Sequence, residues 1–109
     1  MDLHNIRESY NFDSLDQLKA NRNPMIQFNS WFTQYKSLGI KDYNAMAIST
    51  VKNNEPESRI VLLKEIRNNG LVFYSNYESN KGQSLAKNPN ISVLFFWREQ
   101  ERQVRIKGV

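Results

Sequence analysis

The 109-residue chain has no cysteine, one histidine, four glycines and three prolines, and each of these scarcities excludes a class of protein. Without cysteine there are no disulfide bonds, zinc–thiolate sites, iron–sulfur clusters or thiol catalysis. A single histidine cannot build a multi-histidine site, so we predict no metal. The low glycine and proline content excludes collagen-like and linker-like material.

Long hydrophobic runs are also missing. No apolar run approaches the roughly 20 residues of a membrane-spanning helix, and the start Met1-Asp2-Leu3-His4 is not a signal peptide. We therefore predict a soluble, cytoplasmic protein. The composition, 39% apolar and 12% aromatic, favours a folded domain, and the length allows one.

Positive charge exceeds negative charge, with 15 Lys and Arg against 11 Asp and Glu. A basic balance favours an anionic partner, which is nucleic acid, an acidic membrane surface or a phosphorylated small molecule. Ordinary solubilising charge is the alternative explanation. No block of five like charges occurs, which argues against a nucleic-acid-binding tail.

The clearest helix signal begins at Asn23, a good N-cap residue, with Pro24 in the first helical position and Gly39 as the stop. Between them, large side chains recur at helical spacing and form one stripe: Phe28, Trp31, Phe32, Tyr35 and Leu38. We interpret the stripe as core packing rather than a cofactor site. Residues 1–22 before it are predicted to be an arm or short helix.

After Ala45 the hydrophobic period changes to two, which predicts strands. Asn68-Asn69-Gly70 is a hairpin signal, because these residues tolerate the positive φ of a tight turn. The predicted fold is mainly β with helices (α+β), a small antiparallel barrel. Its predicted strands are 45–51, 59–66, 71–75, 91–97 and 103–107, with a short helix over 79–87.

The last predicted strand runs to Val109 without a turn or polar tail. A strand at an open edge invites pairing with another chain. We expect either that the chain is a fragment or that dimerisation covers this edge.

Arg59 and Lys64 bracket the apolar run Ile60-Val61-Leu62-Leu63 and form the first candidate site for an anionic, partly aromatic ligand. In a regular strand these two cations face opposite sides. Both reach one ligand only if the strand bulges or one of them lies at its end. A buried strand with charged ends is the alternative.

Three other segments carry groups that suit an anion. Tyr74-Ser75-Asn76 and Ser79-Asn80-Lys81 lie at a predicted strand exit and helix start, where free N–H groups favour phosphate. A plain N-cap at Ser79 with Lys81 in solvent is equally compatible. The third segment is Arg7 with Tyr10, which share one face if their segment is helical. No sequence motif identifies a catalytic residue.

Taken together and in this order, these segments resemble the pyridoxamine 5′-phosphate oxidase family. The resemblance spans the whole chain but matches only the N-terminal half of the family's protein. It is carried by Ile6-Arg7-Glu8-Ser9-Tyr10, the helix through Phe28 and Trp31, Arg59-Ile60-Val61-Leu62-Leu63-Lys64, Phe73-Tyr74-Ser75-Asn76, Lys81 and Glu101-Arg102-Gln103-Val104.

The resemblance implies an antiparallel split β-barrel, incomplete at its C-terminus, that forms a homodimer with FMN at the interface. It implies oxidation of pyridoxamine or pyridoxine 5′-phosphate to pyridoxal 5′-phosphate, with hydride passing to the flavin and O2 as the acceptor. Residues 1–22 would be an N-terminal arm, and residues 23–109 the N-terminal part of one FMN-binding domain.

The resemblance also implies roles for individual residues. Arg7, Tyr10 and Lys64 would bind the substrate, and Gln103 would contact FMN across the dimer. The other FMN contacts would be Arg59, Ile60, Val61, Leu62, Leu63, Lys64, Tyr74, Ser75, Asn80 and Lys81.

Two departures from the family affect these expectations. Asn80 stands where the family commonly has Arg, which removes a bidentate cation and lowers the expected FMN affinity. The family's C-terminal half is missing, so we expect a truncated form that is not a competent oxidase alone.

Two alternative functions stay open. One is a flavin-binding split barrel, or a reductase, without vitamin B6 oxidase activity. The other is a small basic nucleic-acid-binding barrel, which predicts exposed aromatic side chains beside the cations. Most aromatic residues fall on the helix stripe or in an apolar strand, which disfavours the second.

Overall fold

One α-helix, α1 (Pro24–Lys36), begins where the sequence predicts. The Asn23 side chain accepts a hydrogen bond from the Met25 amide at 3.0 Å, which confirms the N-cap. Gly39 has a φ of 70°, in the left-handed region that ends many helices. The helix is shorter than the predicted stripe, because a turn replaces it after Lys36 and leaves Leu38 exposed.

The structure, a computed structural model, describes residues 1–6, 9, 13–75 and 86–109. A four-stranded antiparallel sheet has the order β2-β1-β5-β6, and β3 and β4 form a separate hairpin. Within the described residues the sheet does not close, and β2 and β6 are its edges. The strands are β1 (Ala45–Lys52), β2 (Glu55–Leu62), β3 (Glu65–Arg67), β4 (Gly70–Val72), β5 (Ile91–Trp97) and β6 (Arg102–Gly108).

The predicted second strand, 59–66, is wrong at both ends. Asn53 and Asn54 adopt φ values of 53° and 61° and join β1 to β2 as a two-residue turn, so β2 begins at Glu55. Pro56 does not stop it, because β2 is an edge strand on which a missing N–H is tolerated. The chain then leaves β2 after Leu62 and begins β3 at Glu65.

The predicted Asn68-Asn69 turn is confirmed, since φ is 53° and 59° at these two residues and β3 pairs with β4 across them. The strand predicted over 71–75 is wrong in extent, because β4 ends at Val72. Of the helix predicted over 79–87, residues 79–85 lie outside the described residues. In the part of the chain that the structure describes, no helix has the length and apolar character to cross a membrane.

The core lies between α1 and the sheet face turned towards it, which we call the inner face. Phe28 packs 5.2 Å from Phe95, and Tyr35 packs 5.4 Å from Trp97, measured between ring centroids. This confirms that the aromatic stripe is core. The inner face consists of alternate strand residues, with Met46, Ile48 and Thr50 from β1 and Val93, Phe95 and Trp97 from β5.

Gly39 gives a direct test of the helix stop. A Cβ at Gly39 would meet no atom within 4 Å, so backbone strain is the only cost of Gly39→Ala. We expect this substitution to lower the free energy of unfolding by about 1 kcal/mol in urea denaturation. Gly108→Ala is the matched control, since its Cβ also meets nothing and its φ is not positive. An equal loss of unfolding free energy in the two variants would contradict a special backbone role for Gly39.

Candidate functional site

Arg59 lies on the inner face of edge strand β2, where two side chains hold its guanidinium. Nη1 donates to Thr50 Oγ1 at 3.1 Å, and Nη2 donates to Glu57 Oε2 at 3.0 Å. The register pairs Thr50 with Glu57 and Ile48 with Arg59, so all these side chains share one face. A guanidinium has five N–H groups, and these bonds use two of them. The arrangement therefore fixes a cation at the margin of the sheet with donors left for an anion.

Lys64 lies in the short break between β2 and β3. The break is held by Asn44, whose carbonyl accepts from the Leu63 amide and whose side-chain amide donates to the Leu63 carbonyl, both at 2.8 Å. The Lys64 amide donates to Val72 O at 2.8 Å, which starts the β3–β4 hairpin. Since the chain leaves the β2 ladder here, strand alternation no longer forces the side chains of Arg59 and Lys64 to opposite sides.

The apolar residues between these two cations divide between the two faces of the sheet. Ile60 is 68% exposed and Leu62 is also exposed, both on the outer face, opposite α1. Val61 is half-buried beside Met46, and Leu63 is buried in the core. Of the predicted FMN contacts, Leu63 can therefore offer a ligand only its backbone atoms, and the side chain of Val61 is turned towards the inner face.

The outer face of the sheet is apolar on β2 and β5 and shallow between them. Phe96 of β5 is 60% exposed, and the intervening strand β1 contributes only small side chains. One row across the sheet consists of Ile60, Ala47, Leu94 and Arg105. This surface can accept a flat ring or a second protein surface.

Gln103 is exposed on the outer face of β6, at the opposite edge of the sheet from Arg59. Three strand spacings separate β2 from β6, about 14 Å along the sheet. Within one chain the structure therefore does not bring Gln103 to Arg59 or Ile60. Tyr74 and Ser75 follow β4 and are exposed. The predicted site residues Arg7, Tyr10, Asn80 and Lys81 lie outside the described residues.

A contact around Arg102 was missed by the sequence reasoning. Its guanidinium carbon lies 4.5 Å from the centre of the Trp31 ring, and Nη2 lies 3.2 Å from Asp13 Oδ2. Nη1 also donates to the Gln100 side chain at 3.3 Å. Arg102 thus ties the segment around Asp13 to α1 and to the start of β6. No local sequence pattern predicts a contact between two residues that are 89 positions apart.

The 3₁₀ helix before β6 (Arg98–Gln100) is held to α1 by Tyr35, whose hydroxyl donates to Glu99 Oε1 at 2.5 Å. Burial, together with the hydrogen bond to Glu99 and its charge, raises the pKa of Tyr35 to about 12. The same hydrogen bond lowers the pKa of the Glu99 carboxyl. Tyr35 therefore helps to fix the start of the strand that carries Gln103.

Comparison with known sequences identifies relatives of the chain. Residues 33–109 match the family described as "Pyridoxamine 5'-phosphate oxidase". The chain is 46% identical to the pyridoxine/pyridoxamine 5′-phosphate oxidase of Actinobacillus pleuropneumoniae serotype 5b over 99% of this chain and 52% of the relative. It is also 46% identical to the Burkholderia thailandensis enzyme, over 97% of this chain and 50% of the relative. The chain spans about half the length of the curated relatives it matches.

Two solved structures share the fold. PhzG from Burkholderia lata 383, in complex with tetrahydrophenazine-1-carboxylic acid, has a TM-score of 0.80 at 24% identity and covers 88% of this chain and 49% of that one. A pyridoxamine 5′-phosphate oxidase-related, FMN binding protein from Nostoc punctiforme has a TM-score of 0.65 at 15% identity, covering 88% and 47%. These likenesses confirm the split-barrel fold, and the sheet of this chain is an unclosed part of it.

The Tyr35–Glu99 hydrogen bond predicts a pH dependence of stability. The phenol ionises near its ordinary pKa of 10.0 when unfolded and at about 12 when folded. Its contribution is therefore complete below pH 10 and is lost as pH rises towards 12. We expect the difference in unfolding free energy between wild type and Tyr35→Phe to fall over that interval in urea denaturation. A difference that stays constant up to pH 12 would contradict the assignment.

Proposed function

This chain belongs to the pyridoxamine 5′-phosphate oxidase family, and we propose that it forms the flavin-binding part of an enzyme that oxidises pyridoxamine and pyridoxine 5′-phosphates to pyridoxal 5′-phosphate. The observation that carries the proposal is the guanidinium of Arg59, which Thr50 and Glu57 hold on the inner face of the open edge strand β2. The exposed apolar residues Ile60 and Leu62 lie on the opposite face of the same strand. Bound FMN would supply the hydride acceptor, which O2 reoxidises with release of H2O2.

The described residues fit FMN in charge and in shape. Arg59 offers N–H donors to the phosphate, and bonds between charged partners of this kind are among the stronger ones in proteins. Ile60 and Leu62 offer a flat ring an exposed apolar strip on the opposite face from Arg59. A ligand that contacts both would cross the open edge of β2, where the backbone of the edge strand offers polar groups. Lys81, with Asn80 beside it, is proposed as a further phosphate contact, and Tyr74 and Ser75 as contacts to the flavin.

The substrate is proposed to bind through its phosphate. Lys64, displaced from β2 by the break at Leu63, is exposed and supplies one cation. Arg7 and Tyr10 are proposed to supply a second cation and a phenol from the N-terminal arm. These residues would bind and orient the substrate, while the redox chemistry belongs to the flavin.

We propose that the protein is a homodimer whose subunits meet through the outer face of the sheet. Exposed apolar patches of this kind mark interaction surfaces, and Ile60, Leu62 and Phe96 lie on one side of the sheet. Because Gln103 lies about 14 Å from β2 along the sheet, a Gln103 that contacts the same flavin would come from the second copy of the chain.

A specific observation favours one alternative, flavin binding without vitamin B6 oxidation. One structural neighbour is described as related to the oxidase and FMN binding, without a stated oxidase activity. The nucleic-acid alternative loses support from Phe28, Phe95 and Trp97, which are buried in the core, although Phe96 is exposed on the outer face.

The first test is titration of FMN into the apoprotein, followed by flavin fluorescence. Arg59→Ala removes a charged hydrogen bond, and we expect the dissociation constant to rise about tenfold or more. Arg67→Ala is the matched control, since that side chain is 62% exposed and lies 3.8 Å from Glu65 on a different hairpin. Equal affinities for Arg59→Ala and wild type would contradict the proposed site.

Addition of pyridoxamine 5′-phosphate to the flavin-loaded protein separates the two candidate functions. Release of H2O2 together with pyridoxal 5′-phosphate supports the oxidase. Saturable flavin binding without turnover of this substrate supports the alternative.

The second test concerns the dimer and uses light scattering to measure molecular mass. Ile60→Arg places a charge in the apolar part of the proposed interface on β2, so we expect the wild type to be a dimer and the variant a monomer. Leu38→Arg is the control, because Leu38 is also exposed but follows α1, away from the outer face. A dimeric Ile60→Arg variant would exclude this face as the interface.

A further inference from the structure

The carboxylate of Glu57 forms an ion pair with Arg59, the cation that we assign to the flavin phosphate. Glu57 lies two residues before Arg59 on the same face of β2, and its carboxylate is 3.0 Å from Arg59 Nη2. The pair is partly shielded from water, with side-chain exposures of 37% for Glu57 and 23% for Arg59. Neither the sequence motifs nor the resemblance to the oxidase family gives Glu57 a role.

We propose that Glu57 is an internal competitor that lowers the affinity of Arg59 for a phosphate-bearing ligand, and that Thr50 is the residue that positions the guanidinium. The inference rests on the proposed function, because it concerns the same cation. It makes Glu57 a determinant of cofactor affinity that touches neither the flavin nor the substrate.

The sign of the effect follows from electrostatics. A phosphate bound to the remaining N–H groups of Arg59 would share one small planar cation with the Glu57 carboxylate. The two anions would then lie within one Debye length, about 8 Å at physiological ionic strength, and would repel each other. Binding must either displace Glu57 from Arg59 or tolerate this repulsion, and both lower the affinity.

Positioning of Arg59 does not require the charge of Glu57. Thr50 is 1% exposed, and its hydroxyl accepts from Arg59 Nη1 at 3.1 Å. A buried neutral partner holds the guanidinium at a fixed place without cancelling its charge. Removing the charge of Glu57 should therefore strengthen phosphate binding, whereas removing the Thr50 hydroxyl should weaken it.

The experiment measures FMN and riboflavin dissociation constants for wild type and Glu57→Gln by flavin fluorescence. Gln keeps the length of the side chain and removes its charge. We expect Glu57→Gln to bind FMN about threefold to tenfold more tightly, an advantage that shrinks as salt is added. Riboflavin, which lacks the phosphate, should bind both proteins equally.

The matched control is Glu65→Gln. It makes the same change of net charge, but Glu65 faces Arg67 at 3.8 Å on β3 rather than Arg59. FMN affinity should not change by more than about twofold, since isolated surface charges contribute little. An equal gain in both variants would show a general effect of net charge and would overturn the proposal.

Thr50 is tested with Thr50→Val, which keeps the shape of the side chain and removes the hydroxyl. We expect FMN to bind severalfold more weakly to Thr50→Val, and Thr50→Ser to restore most of the affinity. Loss of FMN affinity in both variants would indicate packing rather than hydroxyl-mediated positioning, and would overturn this part of the proposal.

The outcomes distinguish this inference from the function on which it rests. If wild type binds no FMN, the proposed function fails and the inference fails with it. If FMN binds and Arg59→Ala weakens it, but Glu57→Gln binds equally or less tightly, the function stands. In that case Glu57 is not a competitor.

Discussion

The packing of aromatic rings from α1 on the inner face of the sheet is the interaction on which the rest of the structure depends. Phe28 and Tyr35 meet Phe95 and Trp97 at centroid distances of 5.2–5.9 Å. Because one helix covers one face, the alternation of strand residues leaves the other face uncovered, with Ile60 exposed on it. The same packing leaves the outer face available to a second subunit, whereas the Arg59 guanidinium lies on the inner face at the edge of β2.

The polar contacts are arranged at the margins of this core. Arg59 at one edge of the sheet contacts one acidic side chain and the neutral Thr50. Arg102, at the start of the other edge strand, contacts one acidic side chain and two neutral groups, the Gln100 side chain and the Trp31 ring. Asn44 holds the break that frees Lys64 from the strand alternation. Arg59 and Arg102 are therefore held by neighbouring side chains, and the backbone of Lys64 is placed by the break.

Much of the fold could be predicted from local sequence signals. Contacts that depend on strand register could not. The N-cap of α1, the alternating strands β1 and β5 and the Asn68-Asn69 turn depend on neighbouring residues, so the sequence predicts them. The early start of β2 at Glu55 was not predicted, because proline at position 56 disfavours a strand unless the strand lies at an edge. The Arg59–Thr50 contact depends on the pairing of β1 with β2, and the Arg102–Asp13 pair joins distant segments. Ile60 and Leu62 lie on the outer face, whereas Val61 and Leu63 are turned towards the core. This follows from the strand register and from the break after Leu62, neither of which a sequence motif contains.

The central claim is that Arg59 binds the phosphate of a flavin whose ring lies against β2. A crystal structure of the protein grown with excess FMN tests this most directly. The account predicts the phosphate within hydrogen-bond distance of the Arg59 guanidinium, with the Glu57 carboxylate moved away or its bond lengthened, and the ring beside Ile60. Flavin bound elsewhere, or absent at saturating concentration while Arg59 remains paired with Glu57, would contradict it.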